Sequence, residues 1–145
     1  MRLVLVVAAT LAALASSSAQ AQMAAAPHKP LYERLGGLTA INAVVDNFVG
    51  NVARDRRINR FFAHADVPRL KSRLAQQICQ ATGGPCFYTG RDMKTVHRGM
   101  GISGVHFNAL VQDLGRTLNK FKVPAREQKE LVAILAPLKK DIVER

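Results

Sequence analysis

The chain has 145 residues, 48% of them hydrophobic, with 21 Lys and Arg against 10 Asp and Glu and a formal net charge of +11. That length supports one domain with a single core and leaves no room for a second. The basic residues (Arg54, Arg56, Arg57; Arg69, Lys71, Arg73; Lys139, Lys140) are scattered and lack interleaved exposed aromatics, so no nucleic-acid partner is expected, while a weak attraction to anionic membrane surfaces is.

Residues 1–21 carry Arg2, the apolar run Leu3 to Leu14, three serines and then Ala19-Gln20-Ala21. This is a secretory signal pattern with cleavage near Ala21, which places the mature protein in a periplasm or outside the cell. The apolar run falls short of the roughly 20 residues a spanning helix needs, and no cysteine at the cleavage point offers a lipid attachment site. Residues 22–29 read as a flexible lead, and the folded domain as 30–145.

From there the apolar residues recur with a period near 3.6, and strand-like alternation is missing, so the expected fold is all-α. Thr39 is the expected cap of a helix that buries Ile41, Val44, Val45, Phe48, Val49 and Val52 and ends near Arg54 and Asp55. A short connection follows with two adjacent aromatics, Phe61 and Phe62, which either plug the end of the core or lay their edges on a flat apolar cofactor. Asp66 should cap the next helix, with Pro68 in its first turn and Val67, Leu70, Leu74 and Ile78 as its stripe, stopped by Gly83-Gly84-Pro85. Cys79 and Cys86 flank that stop. In an oxidising compartment a Cys79–Cys86 disulfide is expected; two small buried thiols or a redox switch are the alternatives, and two cysteines cannot make a structural zinc site.

Met93, Val96, His97 and Met100 then fall at i, i+3, i+4 and i+7 on a short helix bounded by glycines, which aims His97 inward. A buried imidazole needs both ring nitrogens satisfied, either as a hydrogen-bonded core residue or as a metal ligand. Ser103 is the expected cap of a helix carrying Phe107, Leu110, Val111, Leu114, Leu118 and Phe121. Pro124 opens the last helix, lined by Leu131, Ile134, Leu135, Leu138 and Ile142, in which Pro137 predicts a kink. His28 lies in the lead, His64 reads as a surface loop residue or a second axial ligand, and His106 as solvent-facing or a carboxylate's partner.

Leu31-Tyr32-Glu33-Arg34-Leu35-Gly36-Gly37, Phe48, the Phe61-Phe62 pair, Gly83-Gly84, Tyr88-Thr89-Gly90, and Met93-Lys94-Thr95-Val96-His97 with Gly99 and Gly101-Ile102 follow one another in the order seen in a known family. In these residues the chain, from about Leu31 to Val143, resembles the group I truncated haemoglobins. The resemblance implies a two-over-two helical sandwich around haem b, with His97 as the axial ligand of the iron. It implies Phe62 on the haem face with Phe61 beside it, Tyr88, Met93 and Phe107 at the ring border, and Phe48, Val49, Leu70 and Leu74 on the ligand side. Arg69, Lys71, Arg73 and Lys94 are candidates for the haem propionates. No Cys-x-x-Cys-His is present, so c-type attachment is not expected.

Two positions depart from the family pattern. Many relatives place a tyrosine after the phenylalanine that Phe48 matches, where this chain has Val49, and often a glutamine where it has Leu74. An apolar distal face forgoes a hydrogen bond to the bound gas, on the order of 1.5–3 kcal/mol, or roughly ten- to a hundredfold in oxygen affinity, unless Gln77, Tyr32 or a water reaches it. Selectivity then tilts toward carbon monoxide and nitric oxide. The expected function is reversible binding of a diatomic gas. The alternative is a haem-dependent nitric oxide dioxygenase or peroxidase-like enzyme, which needs an electron donor the chain does not identify, since it has no flavin or nicotinamide motif. A haem-free basic module for an acidic partner is the third reading.

Overall fold

The structure, a computed structural model, describes residues 28–145; the signal segment 1–21 and most of the lead 22–29 lie outside the described residues. The described residues form seven α-helices and no strand: α1 (Leu31–Arg34), α2 (Gly37–Arg54), α3 (Val67–Ala81), α4 (Met93–His97), α5 (Gly104–Lys120), α6 (Ala125–Leu135) and α7 (Lys139–Ile142). Single 3-10 turns occupy Asn59–Phe62 and Ala136–Leu138.

Helix α2 is the central element, packed most extensively against α3 and α5, while α5 also meets α6 and the pair α1/α6 closes one end. Its buried residues Ile41, Val45, Phe48, Val49 and Val52 form the expected inward face. The helix starts at Gly37, two residues before the expected Thr39 cap, because Gly36 and Gly37 adopt positive φ (97° and 73°) and turn the chain directly into the helix. The Tyr32 hydroxyl fills the space beside Gly37 and accepts the Leu38 N–H at 3.1 Å. On its other side the Tyr32 ring and Cys79 Sγ lie against Gly84, where no side chain would fit. That contact, with the Tyr32 N–H donating to the Thr82 carbonyl at 2.9 Å, fixes α1 to the end of α3.

Asp66 caps α3 as expected, its Oδ1 accepting the Arg69 N–H at 3.1 Å. Pro124 is the N-cap of α6, and Pro137 breaks the C-terminal run into α6, a 3-10 turn and α7. Between α2 and α5 the Asn51 side chain donates to the fully buried Thr117 hydroxyl at 2.9 Å, which in turn donates to the Asp113 carbonyl, so this buried hydroxyl is satisfied on both sides.

Two apolar clusters result. The larger joins Ile41, Val45, Phe48, Val49 and Val52 to Ile78, Leu114, Leu118 and Leu131. The smaller joins Ile102, Phe107 and Ile142, with Met93, Met100, Leu138 and Val143 against it. Phe61 packs on both, so the phenylalanine corner is the hinge between them. Each large side chain buried in these clusters contributes on the order of 1.5–3 kcal/mol. Phe121 and Val67, placed by periodicity on inward stripes, are instead 40% and 43% exposed because each sits at a helix end where the stripe leaves the core.

Candidate functional site

On the α2/α3 side of the corner lies a cavity of about 60 Å³, partly open to solvent. Helix α2 contributes Phe48, Val49, Val52 and Ala53, the corner contributes Phe62, and α3 contributes Val67, Leu70 and Leu74. The fold thus brings together five of the expected site residues, Phe48, Val49, Phe62, Leu70 and Leu74. Val52 and Val67 were expected only on inward stripes and Ala53 was not singled out, although the three lie one helical turn from Phe48, Leu70 and Val49. None of the eight lining side chains is polar. Neither Tyr32, whose hydroxyl accepts the Leu38 N–H at 3.1 Å, nor Gln76, whose Oε1 accepts from Thr89 Oγ1 at 3.2 Å, lines the cavity. Gln77 does not line the cavity.

Helix α4 stands on the other side of the corner. Asp92 caps it, its carboxylate accepting the Thr95 N–H at 2.9 Å and the Thr95 hydroxyl at 2.6 Å, which holds the Asp92 carboxyl below its ordinary range. His97, half-buried, is the last residue of the helix. Its Nδ1 lies 2.7 Å from the Met93 carbonyl oxygen, which can only accept, so Nδ1 carries the proton. Nε2 is left as an unshared lone pair with no partner among the described residues. A histidine whose tautomer is fixed through one nitrogen and whose other nitrogen is free has the donor chemistry of an axial metal ligand. No group of three or more His, Cys, Asp or Glu side chains lies together among the described residues, so a metal held by His97 would draw its other ligands from a prosthetic group.

The expected buried stripe Met93, Val96, His97, Met100 is corrected in two respects. Val96 is 38% exposed, and the helix ends at His97, so Met100 reaches the second cluster from the following loop. Met93 and Phe107 share that cluster with Phe61. Tyr88 is held by its own loop and by α3, its hydroxyl donating to the Arg91 carbonyl at 2.7 Å and its N–H to Gln80 Oε1 at 2.5 Å. After His97 the chain turns at Gly99 and Gly101, whose N–H groups both donate to the Glu144 carboxylate at 2.6 Å. Glu144 was not singled out from the sequence.

His106 is neither solvent-facing nor a carboxylate's partner: its Nδ1 accepts the Ser103 N–H at 3.1 Å and its ring meets Phe61 edge-on at 4.9 Å. His64 is exposed. Of the candidate propionate partners, Lys71 pairs with Asp46 at 3.1 Å, Arg69 lies 3.9 Å from Asp66, Arg73 bonds Thr89 and Gln76, and Lys94 forms no ion pair among the described residues. Cys79 and Cys86 are joined as a disulfide with Cα atoms 5.8 Å apart, tying the end of α3 to the Tyr88 loop.

Away from the corner, the end of α2 and the middle of α5 enclose an open cleft of about 280 Å³ lined by Asn51, Arg54, Asp55, Arg56, Arg57, Asp113 and Arg116. Arg57, through side-chain and backbone hydrogen bonds, holds the Asp55 carboxyl well below the usual range. Burial pushes the Asp113 carboxyl up: it is fully buried, and its Oδ2 has no hydrogen-bond partner in the structure.

A family model for bacterial-like globins matches residues 30–144. A group 1 truncated hemoglobin of Mycolicibacterium paratuberculosis is 37% identical over 77% of this chain and 82% of its own length, and one of Synechocystis is 37% identical over 72% and 87%. The Fe(III) crystal structure of a truncated hemoglobin from Tetrahymena pyriformis superposes with a TM-score of 0.78 at 29% identity, covering 81% of this chain and all of that one. The 2/2 hemoglobin of a Synechococcus, solved in the cyanomet state with covalently attached heme, superposes at 0.75 with 33% identity over 80% of this chain and 99% of its own. With the all-helical architecture and the phenylalanine corner, these likenesses converge: the chain belongs to the bacterial-like globin family, as a haem-binding globin of the group 1 truncated haemoglobin type with the two-over-two fold.

Proposed function

We propose that the protein binds a diatomic gas reversibly at the iron of a non-covalent haem b, with His97 as the axial protein ligand. The observation that carries this reading is the imidazole geometry: Nδ1–H is spent on the Met93 carbonyl at 2.7 Å, and Nε2 is free. When bound, haem would supply an iron that His97 could hold through Nε2 and that takes up a diatomic gas. Phe62 and Phe61 cover the ring, Met93, Tyr88 and Phe107 border it, and Phe48, Val49, Leu70 and Leu74 wall the gas pocket. A cavity of about 60 Å³ has room for a two-atom ligand.

With no polar side chain on that wall, oxygen loses the hydrogen bond that stabilises its partial charge, and carbon monoxide and nitric oxide are favoured by comparison. The same wall supplies neither the acid nor the base that peroxide cleavage uses, which weighs against a peroxidase-like enzyme. We place the mature protein in a periplasm or outside the cell on the strength of residues 1–21, with Cys79–Cys86 oxidised there.

Haem titration of the wild type and of His97→Gly, followed by visible absorption in the ferric, reduced and carbon monoxide states, tests the reading. The wild type is expected to take up one haem per chain, with a Soret band that shifts sharply on adding carbon monoxide. In His97→Gly that spectrum is expected to be lost and then restored by added imidazole. An unchanged spectrum in the variant would remove His97 as the ligand, and no haem uptake by the wild type would remove the gas-binding reading altogether.

A further inference from the structure

We propose that Glu144, the penultimate residue, is the positioning residue that sets the orientation of His97 through the Gly99–Gly101 loop. The inference rests on the haem reading of His97 and adds what that reading leaves open: how a histidine at the last position of a five-residue helix is held in one place. A helix that short is not stable alone, and its N-terminal end is secured by the Asp92 cap. Its C-terminal end has no comparable side-chain cap of its own. Arg98 is already extended (ψ 128°), and Gly99 and Gly101 follow at φ of 78° and 65°, conformations that glycine reaches freely and gives up equally easily.

Glu144 supplies the missing restraint. Its Oε1 accepts the Gly99 N–H and its Oε2 the Gly101 N–H, both at 2.6 Å, so both carboxylate oxygens are used and the loop wraps the anion. The carboxylate is itself fixed from behind: the Glu144 N–H donates to the Ile102 carbonyl at 2.8 Å, the Gly104 N–H to the Arg145 carbonyl at 3.3 Å, and Ile142 and Val143 pack into the cluster of Ile102, Phe107 and Met93. The segment after α7 therefore grips the peptide units immediately after His97 while Ile142 and Val143 pack beside Met93 at the start of α4, a placement suited to aiming the ring. Two charge-assisted bonds, each about tenfold in an equilibrium, are available for that purpose.

The test uses the full chain with Glu144→Ala and Glu144→Gln, and three readouts. In the haem-free protein, the Gly99 and Gly101 amide protons are expected far downfield in the wild type and moved upfield in both variants. In the haem-loaded protein, transfer of haem to excess apomyoglobin is expected to accelerate at least about tenfold in Glu144→Ala. The ferrous iron–histidine stretching band is expected to shift or broaden in both variants, and Glu144→Asp should recover part of the wild-type band. A stabilising role without positioning would speed haem loss and leave that band in place, which would overturn the proposal. Unchanged amide shifts would overturn it as well. If Glu144→Ala does not fold, Glu144→Gln, which keeps the bulk and turns an amide donor toward a glycine N–H, decides by the same criteria. Failure of the wild type to take up haem would sink the haem reading, whereas the amide shifts judge the clamp on its own.

Discussion

Val49 faces the cavity from the middle of α2, on the turn of helix where many group I truncated haemoglobins carry a tyrosine. Replacing it with tyrosine would place a hydroxyl among the seven other apolar lining residues, where its natural acceptor is the gas ligand. Oxygen release from Val49→Tyr, measured by stopped flow, is expected to slow about ten- to a hundredfold while carbon monoxide release changes far less. An unchanged oxygen rate would mean that a donor already reaches the ligand. At Asp113 the expectation is thermodynamic. Burial raises its carboxyl, so above the ordinary value of 3.8 the folded chain retains a proton that the unfolded chain has released, and stability falls as pH rises through the interval up to the raised value. Asp113→Asn keeps an acceptor for Arg116 and removes the charge. It should therefore be more stable than wild type at neutral pH, by about 1–3 kcal/mol in urea unfolding, with the difference vanishing near pH 3. A less stable variant at pH 7 would show that the Arg116 pair outweighs the burial cost.

At the scale of elements, α2, α3, α5 and the kinked C-terminal run were legible because their apolar residues repeat over three or more turns, and the Asp66 cap because it stands one residue before such a run. The start of α2 was misplaced because Gly36 and Gly37 turn the chain with backbone geometry, which leaves no side-chain cap to read. Helix α4 was found but its inward face misassigned: five residues make little more than one turn, and Val96 at i+3 points outward. Glu144 escaped notice and His106 was given the wrong partner because the groups they meet, the Gly99, Gly101 and Ser103 amides, are backbone groups brought together by the fold, whereas buried Asp113 could have been suspected from its place between Leu110 and Leu114. The disulfide ties two such elements. Closing the short loop from Cys79 to Cys86 should stabilise the chain by about 2.5 kcal/mol through the restrained unfolded state. Dithiothreitol, or Cys79→Ser with Cys86→Ser, is expected to lower Tm by several degrees while the far-ultraviolet helical signal at 25 °C stays constant. An unchanged Tm would mean that the Tyr32–Gly84 contact and the Gln76 and Gln80 bonds already hold the loop.

Across the whole molecule, parts distant in sequence are joined by carboxylates held below their ordinary range. Arg34 donates to Glu127 at 2.8 Å and to Glu130 at 2.6 Å, fastening the first helix to α6, and keeps the Glu127 carboxyl depressed from 4.5. Asp55, depressed chiefly by Arg57, also lies 3.9 Å from Arg116, which links the end of α2 to α5. In the unfolded chain both groups take up protons near their ordinary values, whereas the folded chain resists until lower pH. Their contribution is therefore complete above about pH 4.5 and lost as pH falls through the depressed folded values. Protonating them also removes negative charge from a chain whose formal net charge is already +11, so self-repulsion grows in the same direction. Urea midpoints taken from pH 7 to pH 3 should hence drop steeply below pH 4.5, and Glu127→Gln should start lower at neutral pH and lose less on acidification. A wild-type midpoint that stays level across that interval would show that the ion pairs joining α1 to α6 and α2 to α5 hold nothing together that apolar packing does not already hold.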